Sequence, residues 1–234
     1  MRYVVSDIHG CYDQYMELLR KINLRDEDEL YVLGDVVDRG PQSIKVLQDM
    51  MERPNVIFIL GNHDFMFYNC MEKLMVEITE DNYNNHLSVD DMLNYQLWLR
   101  NGGSETVDQF RSLTHAEKKE IMHYLEDALT YEILEHESET FILVHAGLGG
   151  FDPDKELDEY ELYELLEERP DYSKRYIEDK DTYLITGHTP TITIKGWERH
   201  EVYQKHGHIA IDCCCVGGGR LAAYCIETKE IFYV

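Results

Sequence analysis

Short apolar runs that end in small or polar residues recur along this chain, and they constrain its fold more than any other feature. The runs are continuous and rich in Val, Ile, Leu and aromatic residues, which is typical of buried strands covered on both faces. They occupy residues 3–5, 30–33, 56–60, 141–144, 183–186 and 209–211. Apolar residues at helical spacing lie between the first three runs, over residues 11–22 and in a helix that Pro41 is expected to open. The beginning of the chain therefore predicts a β-α-β-α-β order and an α/β fold class.

The middle of the chain has a different pattern. Residues about 64–130 read as mostly helical, with capping boxes beginning at Ser88 and Thr114, and we interpret this segment as a helical insert or cap. Residues 131–146 predict a hairpin, and the acidic stretch 152–168 predicts a solvated helix. Since no internal repeat or low-complexity linker interrupts the sequence, residues 1–234 are expected to form a single domain.

The charge balance narrows the classes of partner. The chain has 46 acidic and 22 basic residues, a formal net charge of −24. Such a surface repels nucleic acids and anionic lipids, so we expect no nucleic-acid partner and no membrane association. No apolar run reaches the length of a membrane span. The absence of a secretion signal and of any Cys-x-x-Cys pair predicts a cytoplasmic protein with reduced thiols.

Polar side chains follow five of the apolar runs, at the edge where ligands bind in open α/β sheets. Side chains able to bind metals follow these runs: Asp7, His9, Asp35, Asn62, His145 and His188. Mixed oxygen and imidazole donors suit Mn, Fe or Zn better than Ca or Mg. One metal would not need six ligands and still leave room for a substrate, whereas two divalent ions sharing a carboxylate would. We therefore predict a two-metal site, with Mn preferred, whose positive charge lets an acidic protein bind a phosphate.

The motifs that contain these residues resemble a known family. Asp-x-His-Gly, Gly-Asp-x-x-Asp-Arg-Gly, Gly-Asn-His-Asp, His-Ala-Gly and Gly-His-Thr occur in this order between residues 6 and 190. This set is similar to the phosphoprotein phosphatase branch of the calcineurin-like metallophosphoesterases, in particular to short bacterial and phage phosphatases and to symmetrical diadenosine tetraphosphatases. The resemblance implies two mixed β-sheets packed as a sandwich and flanked by helices.

The resemblance also implies a role for each motif residue. Asp7 and His9 would bind one metal, Asp35 would bridge, and Asn62, His145 and His188 would bind the other. A metal-bound hydroxide would attack phosphorus directly, without a phosphoenzyme. Ser6 stands where the family usually has Gly, and because serine is small we expect little consequence.

The remaining implied roles concern the leaving group and the phosphate. His63 would be the general acid, oriented by Asp38. Arg39 would bind the phosphate through its planar guanidinium, together with Asn62. A second phosphate-binding arginine is usual before the Gly-His-Thr segment, often in a Trp-x-Arg setting. No Trp lies between His145 and Gly187, so Arg169 is our first candidate and Arg175 the second.

Cys214 and Arg220 form a competing pattern, Cys-x-x-x-x-x-Arg, which has the spacing of cysteine-dependent tyrosine phosphatases. In such a site the arginine opens a helix whose N-terminus faces the anion. Here residues 221–226 read as a strand, and no His precedes Cys214. We therefore interpret this segment as a glycine-rich turn whose cysteines pack as small apolar residues.

The preferred function is hydrolysis of phosphate monoesters in phosphoproteins or small phosphoesters, most of all as a serine/threonine protein phosphatase, including a dual-specificity one. The alternative is symmetrical cleavage of a dinucleoside polyphosphate by the same metal site. A metal-bound binding module without turnover is disfavoured because His63, Asp38 and Arg39 are all present. A nuclease is disfavoured by the charge of −24.

Overall fold

The computed structural model describes residues 1–82 and 86–234. Within these ranges the chain forms ten strands: β1 (Arg2–Val5), β2 (Glu29–Leu33), β3 (Val56–Ile59), β4 (Tyr131–His136), β5 (Glu139–Val144), β6 (Thr182–Thr186), β7 (Tyr203–Lys205), β8 (His208–Ala210), β9 (Ala222–Cys225) and β10 (Ile231–Tyr233). It also forms seven α-helices: α1 (Tyr12–Ile22), α2 (Ser43–Met51), α3 (Asn62–Leu74), α4 (Val89–Trp98), α5 (Ser104–Arg111), α6 (His115–Glu126) and α7 (Leu162–Leu166). Among the described helices, none combines the length and apolar character that crossing a membrane requires.

The strands form two mixed five-stranded sheets. The first has the order β10-β9-β1-β2-β3 and the second the order β4-β5-β6-β8-β7. Strands β1, β2 and β3 are parallel, as the predicted β-α-β-α-β order requires, while β9 and β10 add an antiparallel hairpin. In the second sheet β6 lies parallel to both β5 and β8. The carboxyl ends of β5, β6 and β8 therefore meet at one edge.

The two sheets pack face to face because successive side chains of a strand point to opposite faces. Val4 and Leu33 of the first sheet share a buried cluster with Leu143 and Ile185 of the second. The neighbouring residue Val5 faces the other way, into the cluster formed with α1, α2, α3, α5 and α6. The predicted sandwich of two mixed sheets flanked by helices is confirmed.

Helices α3 to α6 occupy most of the segment predicted to be helical. Both predicted capping boxes are present, since the side chain of Ser88 accepts from the Asp91 N–H and that of Thr114 accepts from the Glu117 N–H. Between α3 and α4, no helix forms in the described residues 75–82 and 86–88. The description of this segment as a cap, and of the whole chain as a single domain, stays a prediction.

Two local predictions were wrong. Pro41 does not open α2, which begins at Ser43, because Gln42 is non-helical and its N–H donates to the Gly10 carbonyl at 3.1 Å. The segment 152–168 is not a continuous solvated helix, because only Leu162–Leu166 is α-helical. Its apolar residues Tyr160 and Leu165 are buried against β5 and β6.

Candidate active site

Most of the predicted site residues lie in loops that follow the strands, and several of them have a left-handed backbone. Among the site residues, those with φ between 43° and 72° are Asp7, His9, Asp35, Asp38, Arg39 and His188. Such conformations cost a non-glycine residue about 1–3 kcal/mol and persist only where the surroundings impose them. Here backbone hydrogen bonds join the loops, from Asp7 N–H to Gly34 O at 3.1 Å and from His9 N–H to Asp35 O at 2.8 Å. Strain of this kind is typical of functional sites.

Asp35 lies at the centre of the site. Its Oδ2 is 3.4 Å from Nε2 of His9, and its Oδ1 is 3.4 Å from Nε2 of His145. Two groups of ligand atoms, each within 4.8 Å of one another, share this carboxylate: one also contains His9 and His63, and the other also contains His145 and His188. One carboxylate placed between two sets of imidazoles is the arrangement that a bridging ligand requires.

The hydrogen bonds of the histidines test whether metals fit these positions. His9 Nδ1 lies 2.7 Å from Val37 O, and His145 Nδ1 lies 2.7 Å from Leu33 O. A carbonyl can only accept, so in both rings Nδ1 carries the hydrogen and Nε2 presents its lone pair towards Asp35. A carboxylate oxygen is also an acceptor, and a cation satisfies two acceptors that face each other. The donor set therefore fits metal ions, with the backbone carbonyls fixing the ring orientations.

Asn62 joins the second group. Its Oδ1 lies 3.0 Å from Nε2 of His145 and 3.0 Å from Nδ1 of His188. Asn62 is the first residue of α3, so the turn from β3 into the helix brings its amide to the sheet edge. The structure thus brings together all three residues that the sequence assigns to the second metal.

Asp7 lies beside these groups but belongs to neither. Its Oδ2 accepts from the backbone N–H of His188 at 3.0 Å and from the hydroxyl of Ser6. Burial raises the pKa of Asp7 well above its usual value, and the charges of Asp212 and Asp35 add to the effect. The Ser6 hydroxyl thus contacts a carboxylate oxygen of a predicted ligand, a contact that glycine could not make. The expectation that Ser6 has little consequence stays a prediction.

The electrostatics of the site favour neutral imidazoles at His9 and His188 and an ionised Asp35. Burial lowers the pKa of His9 to about 3, and burial together with His145 lowers the pKa of His188 to about 3. Burial alone would raise the pKa of Asp35, but the neighbouring histidines outweigh it and hold that pKa well below the usual range. Neutral imidazole and carboxylate are the forms that bind metals.

His63 and Asp38 form a buried pair next to this centre. His63 Nδ1 lies 2.7 Å from Asp38 Oδ2, so the carboxylate accepts from the ring. Burial lowers the pKa of His63, but the charges of Asp35 and Asp38 outweigh it and raise that pKa above its usual value. The ring is thus held in one orientation with its Nε2 towards the cleft, which suits proton transfer.

The guanidinium of Arg39 lies across two imidazoles. Its Nη1 donates to His9 Nε2 at 2.5 Å and its Nη2 donates to His63 Nε2 at 2.7 Å. Both nitrogen atoms of the planar fork therefore point into the site, where they can bind two oxygens of one phosphate.

The two other candidate arginines differ. Arg175 donates to the carbonyls of Ile177, Asp179 and Thr182, so the second candidate was wrong: this side chain holds a loop. Arg169 is exposed and lines an open cavity of about 440 Å³ with Thr189, the residue that follows His188. Its role in binding phosphate stays a prediction.

Cys214 does not lie in a nucleophilic phosphate loop. It precedes a short 3-10 turn, Cys215–Gly217, and the segment after Arg220 is strand β9, so no helix N-terminus faces it. Burial also raises the pKa of the Cys214 thiol, whereas a nucleophilic cysteine needs a lowered one.

Comparison with known proteins agrees with this geometry. The family model described as calcineurin-like phosphoesterase matches residues 2–207. The chain belongs to this family. Family membership, together with the two groups of histidine and aspartate ligands, implies that this phosphoesterase uses divalent metal ions.

Curated relatives are similar over different extents. The asymmetrical bis(5'-nucleosyl)-tetraphosphatase PrpE of Geobacillus sp. (strain WCH70) is 28% identical over 94% of this chain and 88% of its own length. The symmetrical bis(5'-nucleosyl)-tetraphosphatase of Buchnera aphidicola subsp. Schizaphis graminum is 35% identical, but over 47% of this chain and 41% of its own. The alignment thus spans less than half of the symmetrical enzyme.

Solved structures share the fold. A protein provisionally assigned as a diadenosine tetraphosphatase superposes with a TM-score of 0.66 at 23% identity, over 100% of this chain and 92% of that one. The cold-active protein-tyrosine phosphatase of a psychrophilic Shewanella species superposes with a TM-score of 0.58 at 16% identity, over 99% of this chain and 76% of that one. At these identities the likeness shows the architecture alone.

Sequence reasoning missed four buried residues that support the site of this phosphoesterase. Asp64 accepts from the backbone N–H groups of Val36, Val37 and Gly61, and so ties the loop after β2 to the loop after β3. Its position inside the Gly-Asn-His-Asp motif was a signal that could have found it. Asp212 follows β8, and its charge is one of those that raise the pKa of Asp7. Trp98 and Thr106 both donate to Asp38, and no local pattern links them to it.

Proposed function

We propose that this phosphoesterase hydrolyses dinucleoside tetraphosphates with two divalent metal ions. The observation that carries the proposal is the full-length similarity to an enzyme of that name, 28% identity over 94% of this chain. The Asp35 carboxylate between two imidazole groups supports it, since cleavage of a phosphoanhydride requires positive charge at the phosphate. This choice replaces the phosphoprotein substrate that the sequence alone favoured.

Six side chains would hold the two metal ions. Asp7, His9 and Asp35 would hold one ion, and Asn62, His145, His188 and Asp35 the other. When bound, the ions would supply positive charge at the phosphate and lower the pKa of water. Mn²⁺ is our first choice, with Fe or Zn as alternatives, because the donors mix oxygen and imidazole.

Arg39 and His63 would act directly on the substrate. Arg39 would turn its guanidinium from His9 and His63 to the phosphate oxygens. His63 Nε2, once released by Arg39, would take up a proton and then give it to the leaving oxygen, while Asp38 holds Nδ1. Asn62 and Arg169 would also contribute to phosphate binding.

A phosphoprotein phosphatase is the second candidate, and the His63–Asp38 pair favours it. A serine or threonine alkoxide is a poor leaving group that needs a proton, whereas a nucleotide leaves readily without one. A buried acid with a raised pKa therefore assists hydrolysis of a phosphate ester more than cleavage of a phosphoanhydride.

One experiment separates these candidates. Metal-stripped protein is given Mn²⁺ and then either diadenosine tetraphosphate or a phosphoserine peptide. We expect hydrolysis of the tetraphosphate, and its products identify the cleavage position: two ADP for symmetrical cleavage, ATP and AMP for asymmetrical cleavage.

Two variants serve as controls for the same assay. His63→Asn should lower turnover, whereas His123→Asn, which changes an exposed histidine on α6, should not. Faster turnover of the peptide would favour the second candidate. Mn²⁺ binding without turnover of either substrate would instead indicate a binding module.

A further inference from the structure

Asp38 accepts hydrogen bonds from three side chains. Its Oδ2 receives the His63 ring N–H at 2.7 Å and the indole N–H of Trp98 at 2.7 Å, and its Oδ1 receives the Thr106 hydroxyl at 2.8 Å. The carboxylate is fully buried, so these donors replace the water that would otherwise solvate its charge. With both oxygens engaged, its plane has little freedom to rotate.

Trp98 is itself held rigidly. Its ring is fully buried and stacks on Phe67, with ring centroids 5.7 Å apart. Gly103 packs directly against the indole, where any side chain would overlap the ring. The last residue of α4, immediately before the turn Leu99–Gly103, thus carries a donor fixed by packing on both sides.

We propose that Trp98 is a positioning residue for proton transfer by His63. Its indole N–H fixes the Asp38 oxygen that also holds the imidazole, and so it sets the direction of His63 Nε2. Trp98 would act through Asp38 and not on a reacting atom. The inference rests on the proposed role of His63 as the acid in the function above.

Trp98 and Thr106 contribute differently. Thr106 binds the oxygen that does not touch His63, and its hydroxyl also accepts from the backbone N–H of Asp38 at 3.0 Å. If Trp98 is lost, Oδ2 retains a single donor and the carboxylate can turn about its Cβ–Cγ bond. The imidazole of His63 would then stay at its position, but its orientation would no longer be fixed.

The test uses the dependence on the leaving group. Trp98→Phe is compared with Trp197→Phe, a matched control because the indole N–H of Trp197 donates to a backbone carbonyl, that of Glu201, at 3.0 Å. Each protein is loaded with Mn²⁺ and assayed for kcat and KM with phenyl phosphate and with p-nitrophenyl phosphate. Phenolate is the poorer leaving group and depends more on a well-placed acid.

We expect Trp98→Phe to lower kcat for phenyl phosphate by about tenfold and kcat for p-nitrophenyl phosphate by less than about twofold, with little change in KM. Trp197→Phe should leave the ratio of the two rates unchanged. An equal loss for both esters in Trp98→Phe would overturn the inference, because it would indicate a structural defect. If the wild-type protein hydrolyses neither ester, then its acid does not serve ester leaving groups, and the inference is wrong even if the tetraphosphate is cleaved.

A second measurement does not depend on turnover. In Trp197→Phe the single remaining indole N–H resonance belongs to Trp98, and its exchange with solvent can be followed by NMR in metal-free protein. Asp38→Asn should speed that exchange at least tenfold, and an unchanged rate would contradict the hydrogen bond on which the inference depends.

If Trp98→Phe does not fold, replacing the indole by its sulfur isostere benzothiophene in the Trp197→Phe background removes the N–H at constant shape. The same change in the ratio of ester rates is then expected, and an unchanged ratio again overturns the inference.

Discussion

The carbonyl oxygen of Gly102 accepts a hydrogen bond from the backbone N–H of Arg39 at 3.0 Å. This contact joins the turn between α4 and α5 to the loop after β2, which carries the predicted phosphate-binding side chain. Gly102 has a φ of 111°, and a Cβ added there would lie 2.7 Å from Cγ of Arg39. The turn between α4 and α5 and the loop after β2 therefore depend on each other for their conformation.

Gly102→Ala should reduce stability and weaken substrate binding together. The left-handed backbone alone costs about 1 kcal/mol, and the contact with Arg39 adds about 1–3 kcal/mol. Gly196→Ala is the matched control, because Gly196 also has a positive φ, 82°, but a Cβ there meets nothing within 4 Å. Urea unfolding should show a larger loss for Gly102→Ala, and KM should rise for that variant alone. Equal losses with unchanged KM would contradict the link to Arg39.

Asp35→Asn should abolish binding of both metal ions, since this carboxylate lies in both groups of ligand atoms. His188→Ala should remove only one ion. After dialysis against Mn²⁺, metal analysis should give about two ions per wild-type chain, about one for His188→Ala and close to none for Asp35→Asn. The exposed Asp108 provides the control Asp108→Asn, which should keep wild-type binding. Retention of two ions by Asp35→Asn would rule out the shared carboxylate.

Arg39→Lys should lower kcat/KM by about 10- to 100-fold, the equivalent of one lost charge-assisted hydrogen bond. Lysine keeps the charge but cannot present two nitrogens in the planar fork with which Arg39 now contacts His9 and His63. Steady-state kinetics would measure the effect, with Arg20→Lys on the exposed face of α1 as the control. Wild-type kinetics in Arg39→Lys would show that charge alone is sufficient.

Asp38→Asn should move the alkaline limb of the pH–rate profile to lower pH. The acid acts when protonated, so activity is present below the pKa of His63 and lost as pH rises through it. Asp38 helps to raise that pKa. Removing its charge should therefore lower the pKa of His63 and move the alkaline limb to lower pH. kcat should also fall by about 10- to 100-fold. Asp49→Asn, which changes a pair with Arg53 and a hydrogen bond from the Tyr12 hydroxyl, is the control. A limb that stays in place in Asp38→Asn would contradict the assignment.

Much of the fold could be predicted because the apolar runs are short, strong and bounded by glycine and polar residues. All six runs are strands, and the capping boxes at Ser88 and Thr114 begin helices. The errors fell where tertiary contacts override local signals. The turn at Pro41 is extended by the hydrogen bond from Gln42 to Gly10. The acidic segment 152–168 forms only one short α-helix because its apolar residues pack on the second sheet.

The sequence by itself determined the chemistry at the strand ends, because each motif follows a strand directly and parallel strands present their carboxyl ends at one edge. It identified Asp35, His63 and Arg39 without any knowledge of distances. Only the tertiary structure decided what orients these groups. Trp98 and Thr106 lie 60 and 68 residues from Asp38, and Ser6 acts on Asp7 through a hydroxyl that spacing alone does not reveal. Hydrogen bonds between distant segments depend on how the helices pack against the sheet, and no local pattern encodes that packing.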